Sequence, residues 1–165
     1  MLHHISFNAR DPEGVAHALA EMLDATCVRA PAPPFPEAAW FVCFGDANGS
    51  LIEVMPWGET RDASTPRGVG YDAEMRPSSG AHVLASTALK ADELFALADR
   101  EGWRAEQADA GLFKFIKVWV ENAFLVEFLT PELRAAYVEA FNATGVASVD
   151  AKLRELETAI RAKLG

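Results

Sequence analysis

Residues 2–12 read LHHISFNARDP, and this stretch decides the fold. Over residues 2–9, Leu2, His4, Ser6 and Asn8 share one parity, while His3, Ile5, Phe7 and Ala9 share the other. A period of two marks a strand whose faces differ in burial. Asp11 and Pro12 follow at once: a carboxylate suited to cap a helix, then a proline where the first helical residue needs no N–H. Val15, Leu19, Met22 and Leu23 continue as an apolar helical stripe. The apolar parity of the strand must cover that helix, which leaves His4 on the face turned away from it.

Working outward, further strands are expected at Thr26–Arg29, 40–44 and 50–55, with the turn GDANG at 45–49 between the last two. The same order returns from residue 80. GAHVLAST at 80–87 contains a strand over 81–87, and a helix over 91–101 places Leu94, Leu97 and Ala98 on one side before Gly102 stops it. Strands at 103–107, 112–120 and Phe124–Leu129 complete the second half, with Glu121-Asn122 as the tight turn. The grammar is βαβββ twice, an α+β class. One domain is expected over 1–130, built of modules 2–58 and 80–130 joined by a linker at 59–79, with a helical extension over 131–165. In that extension Leu133, Tyr137 and Phe141 share one helical face, and Val149, Leu153, Leu156, Ile160 and Leu164 form a second stripe. The second stripe is expected to dock on the linker or on another subunit.

Composition narrows the function classes. The chain has 165 residues, 50% hydrophobic and 24% charged, with a formal net charge of −9. That describes an ordinary globular domain, large enough to need no disulfide or structural metal. An acidic balance without any Lys/Arg run repels phosphate backbones and anionic lipid, so neither nucleic acid nor a membrane is an expected partner. Cys27 and Cys43 lack any metal or redox spacing and read as reduced thiols. Without a basic leader or a long apolar span, the expected compartment is the cytoplasm.

The chemistry sits in four side chains at equivalent places. His4 lies in the first strand and Glu53 in the last strand of module one; His82 and Glu127 take the same slots in module two, with nearly the same separation. Parity groups Leu51, Glu53 and Met55, and likewise Leu125, Glu127 and Leu129. A carboxylate among apolar neighbours needs a partner to stay charged. Each residue alone also fits a satisfied core histidine or a solvated edge carboxylate. Together they offer the N and O donors that suit Zn, Ni, Co, Fe or Mn. His3 would replace His4 if the strand shifted by one residue, and His17 falls on an exposed helical position.

With LHHISFNARDP, LIEVMPWG around Glu53, GAHVLAST around His82 and FLVEFLTPE around Glu127 in this order, residues 2–130 resemble the vicinal oxygen chelate superfamily, which includes glyoxalase I, extradiol dioxygenases and the fosfomycin and bleomycin resistance proteins. The resemblance implies a curved mixed sheet around a cleft and a divalent metal held by His4, Glu53, His82 and Glu127, within one chain or across a homodimer. It implies a glyoxalase I-like enzyme, a lyase or isomerase, that chelates a small oxygen-bearing substrate and stabilises an enediolate. Glu53 or Glu127 would then be the catalytic base. An extradiol-type dioxygenase, or a binding protein without turnover, are the alternatives. Parity turns Phe115, Lys117 and Trp119 toward such a cleft, where the ammonium could hold an anionic substrate group unless the strand is a solvated edge. Trp40, Phe44 and Trp57 would either wall the pocket or fill the core.

Overall fold

The computed structural model describes residues 3–32, 35–66, 68–76 and 80–164, with the side chains of Ala147 and Leu164 outside that set. The expectations placed on Leu2 and on the Leu164 side chain therefore fall outside the described residues. The elements run β1 (His4–Ala9), α1 (Pro12–Leu23), β2 (Thr26–Arg29), β3 (Trp40–Cys43), β4 (Leu51–Pro56), β5 (Glu59–Arg61), β6 (Val69–Tyr71), β7 (His82–Ser86), α2 (Ala91–Arg100), β8 (Arg104–Asp109), β9 (Lys114–Val120), β10 (Phe124–Leu129), α3 (Pro131–Phe141) and α4 (Val146–Leu164). Two four-stranded mixed sheets result, ordered β1-β4-β3-β2 and β7-β10-β9-β8. In each, the first strand pairs parallel with the last, across a helix, and the other pairings are antiparallel.

The local signals act as their chemistry requires. Asp11 accepts a hydrogen bond from the Gly14 N–H at 3.0 Å, and Pro12 occupies the first turn of α1. Glu93 accepts from the Lys90 N–H at 2.8 Å at the start of α2. After α2, Gly102 takes a φ of 70°, where a side chain would clash with its own backbone.

One core serves both modules. Phe7, Ala9, Ile52 and Val54 from the first sheet, Ile116, Val118, Val126 and Phe128 from the second, and Leu19, Met22, Leu94 and Ala98 from the helices belong to a single buried cluster. Phe7 stacks on Phe124 across the module boundary, with ring centres 4.2 Å apart and planes within 1°. The Thr87 hydroxyl donates to the Met22 carbonyl at 2.5 Å. At the β9–β10 turn, Glu121 accepts from the backbone N–H groups of Arg10 and Asp11 at 2.6 and 2.7 Å.

The linker is more structured than its Gly and Pro content suggests. β5 and β6 pair as an antiparallel ribbon, with Glu59 opposite Tyr71 and Arg61 opposite Val69. Strands of three residues are too short for alternation to register, which is why the sequence shows only a connection there. Asn8 ties the ribbon to β1, donating to the carbonyls of Pro56 and Glu59 at 2.8 Å each.

Within the chain, part of the C-terminal stripe meets the β8–β9 turn. Leu156 packs on the β8–β9 turn, so close that a Cβ on Gly111 would lie 2.4 Å from Leu156 Cδ2, and α4 runs against α3. Val149, Leu153 and Leu156 are half-buried, whereas Ile160 stays 47% exposed. Among the described residues, no helix is long and apolar enough to cross a membrane.

Candidate metal centre

Strand register builds the candidate site as two matching halves. In module one His4 lies beside Leu51, and Ser6 lies beside Glu53. In module two His82 lies beside Leu125, and Leu84 beside Glu127. Each glutamate therefore stands two residues beyond its histidine's neighbour on the adjacent parallel strand. Two residues preserve the face, so each His/Glu pair shares one side of its sheet. That side is opposite Phe7 and Val126, which are buried in the common core.

His3 and His4 have different surroundings. His3 Nδ1 lies 2.9 Å from the Asn48 carbonyl in the β3–β4 turn, while His4 is exposed on the face that carries Glu53. His17 is exposed, as expected, and its ring lies 5.4 Å from that of Trp40.

The two glutamates have different surroundings. Glu53 is only 8% exposed; the Ser6 hydroxyl donates to its Oε2, and Phe41 stands across from it on β3. Glu127 has a side chain 13% exposed, with Oε2 3.7 Å from His82 Nε2, and Lys117 stands across from it on β9. No buried side-chain N or O atom among the described residues lacks a hydrogen-bond partner.

A cavity of about 240 Å³ opens beside the first half, lined by Ser6, Asn8 and Met55 of the sheet, by Glu59, Thr60 and Arg61 of the ribbon, and by Met75. The ribbon thus roofs the space next to Glu53. Of these residues the sequence marked Ser6 and Asn8, by the parity of His4, and Met55, by that of Glu53; the ribbon residues and Met75 carried no signal.

The expected substrate-side residues separate. Lys117 is half-buried, its Nζ 5.9 Å from the Phe115 ring centre and 5.8 Å from that of Trp119. Trp119 also stacks under the Arg104 guanidinium at 4.5 Å. Phe115 is 8% exposed and contacts Phe113, whose ring meets Tyr137 of α3 edge-on at 4.9 Å. Trp40 and Phe44 pack against the core. Trp57 lies under the Arg10 guanidinium at 4.3 Å.

The donor chemistry suits a divalent ion, since neutral imidazole nitrogen and carboxylate oxygen are ordinary ligands of first-row metals. Geometry limits what one chain supplies. Among the described residues, no three His, Cys, Asp or Glu side chains come together in a metal-binding group. The opposite faces of both sheets meet in one core, so each His/Glu pair sits on the side of its sheet turned from that core.

No protein-family model and no curated protein sequence matches the chain. Solved structures do. The fosfomycin resistance protein FosX from Listeria monocytogenes superposes with a TM-score of 0.54 at 14% identity, covering 82% of this chain and 94% of that one. Its complex with Mn(II) and sulfate gives 0.54 at 12% identity, covering 86% and 97%. A variant of the same protein, complexed with Mn(II) and 1S,2S-dihydroxypropylphosphonic acid, gives 0.52 at 14% identity, covering 78% and 87%. Repeated βαβββ modules, parallel first and last strands in each, and this superposition give one result: the chain has the vicinal oxygen chelate fold.

Proposed function

We propose that the protein is a divalent-metal-dependent enzyme of the glyoxalase-like type, acting on a small oxygen-bearing substrate, with its metal centres completed in a homodimer. The observation that carries this reading is the matched placement of His4/Glu53 and His82/Glu127, in the same register on the same strand pair of each module. Two donors are too few to hold a catalytic ion; four with both N and O hold one, and an ion that prefers six ligands, such as Mn²⁺, keeps positions open for substrate. No three candidate ligands come together among the described residues of one chain, so His4 and Glu53 of one copy meet His82 and Glu127 of another. The Mn(II) complexes of the FosX neighbours support a divalent ion in this fold.

When bound, the metal would supply positive charge that stabilises negative charge developing on substrate oxygens. The rest falls to side chains. Glu53 is the proton acceptor: it is bonded by Ser6, a residue of the cavity wall, and has no cationic residue opposite it in the sheet. Glu127 stays beside His82 and Lys117 as an anionic anchor. Lys117 and Trp119 offer an ammonium and a flat apolar wall to the substrate, whose remainder fits beneath the ribbon. Phe115, two residues before Lys117 on the same face of β9, has its ring centre 5.9 Å from the Lys117 Nζ.

Titration with Mn²⁺, Zn²⁺ and Ni²⁺ at concentrations where sedimentation reports dimer tests the reading. One ion per chain is expected, with Glu53→Gln and Glu127→Gln each weakening binding by about 10-fold or more. A dimer that binds none of the three metals, or a monomer that binds as tightly as the dimer, refutes it.

A further inference from the structure

The two glutamates are chemically equivalent by register, yet only one has a hydroxyl directly beside it. Ser6 faces Glu53 across the β1–β4 pair and donates to its Oε2. The corresponding position beside Glu127 is Leu84, which has nothing to donate. Instead Glu127 takes its orientation from His82, at 3.7 Å. In module one that source of order is absent among the described residues: no ion pair joins His4 to Glu53. A carboxylate on a flexible two-carbon stem, 8% exposed between Leu51 and Met55, would otherwise rotate freely about its last torsion.

We propose that Ser6 is a positioning residue, which engages Oε2 of Glu53 and so presents Oε1 alone to the ion. The inference rests on the metal reading and deepens it. A hydrogen bond to one oxygen leaves one carboxylate lone-pair edge available, which favours single-oxygen ligation and leaves a defined acceptor for a proton. Ser6 touches neither ion nor substrate in this role. Ser6 is also one of the residues lining the cavity, so the order it imposes lies beside that space.

Mn²⁺ binding by the dimer, measured without substrate, tests this. Ser6→Ala should weaken affinity by about 10- to 100-fold, the range seen when a partner of a metal ligand is removed. Ser6→Thr keeps the hydroxyl and should restore most of that loss. Ser6→Thr should melt near wild type, whereas Ser6→Ala takes a donor from the 8%-exposed Glu53 and should melt somewhat lower, so binding is compared well below both melting temperatures. In a Glu53→Gln background, Ser6→Ala should cost little more, because the group it orders has already lost its charge. Weakened binding in Glu53→Gln with unchanged binding in Ser6→Ala overturns the role of Ser6 and leaves the metal reading standing. A Ser6→Ala loss that persists in full on the Glu53→Gln background also overturns it. A wild-type dimer that binds no Mn²⁺ overturns both.

Discussion

Glu121 ties the second module to the first, and removing its carboxylate should loosen that link measurably. The residue sits in the β9–β10 turn with φ of 50°, its side chain 14% exposed. It accepts two short hydrogen bonds from consecutive backbone N–H groups, Arg10 at 2.6 Å and Asp11 at 2.7 Å, just where β1 gives way to α1. The Arg10 guanidinium lies 3.9 Å from the same carboxylate but is half exposed, so it adds little. Hydrogen bonds to a charged acceptor contribute about 1.5–3 kcal/mol each when buried. Arg10 and Asp11 border solvent, and water can replace part of what Glu121→Ala removes, so about 1.5–3 kcal/mol for the pair is the reasonable sum. For a chain of this size that is a fall in melting temperature of about 4–9 °C. Glu121→Gln keeps one acceptor oxygen and should fall roughly midway. Thermal unfolding followed by circular dichroism measures the shift, and amide exchange at Arg10 and Asp11 should speed up in both variants. Melting within about 1 °C of wild type, with those amides still protected, would show that the Phe7–Phe124 stack and the shared core align the modules without the carboxylate.

Three other outcomes follow from named contacts. Mutating Gly111, whose φ of 83° and approach to Leu156 leave no room for a Cβ, to Ala should destabilise the chain by about 1–2 kcal/mol and displace α4, seen as faster exchange in residues 146–163. Deleting residues 147–165 uncovers the β8–β9 turn and should lower the melting temperature while leaving Mn²⁺ stoichiometry intact; an unchanged melting temperature would make α4 a dispensable tail. Arg100 of α2 holds the Glu21 carboxyl of α1 below its ordinary value of 4.5 through a 2.7 Å hydrogen-bonded pair. A lowered folded-state value means stability present above pH 4.5 and lost as pH falls through that lowered value, so Arg100→Ala should flatten that acid limb slightly, and less so in high salt.

The repeat was legible because its causes are local. Alternation in residues 4–9 and 82–86, the Asp11-Pro12 start, the Gly102 stop and the Glu121-Asn122 turn each act over a few residues, and the structure places elements where those signals lie. The same parity brought His4 to the face of Glu53, and His82 to that of Glu127, since a two-residue period decides faces without knowledge of neighbours. What the sequence did not contain was the relation between the halves. Which sheet faces meet depends on the summed burial of Phe7, Val54, Ile116, Phe128 and two helices in one core, and only the folded chain shows that this core turns the His/Glu faces outward. The ribbon over the cavity, the seating of Leu156 on Gly111 and the hydroxyl of Ser6 on Glu53 are likewise contacts between residues far apart in the chain. Local pattern determined the repeated strands and helices and the face of each His/Glu pair; long-range packing alone decided that no three candidate ligands come together among the described residues of one chain.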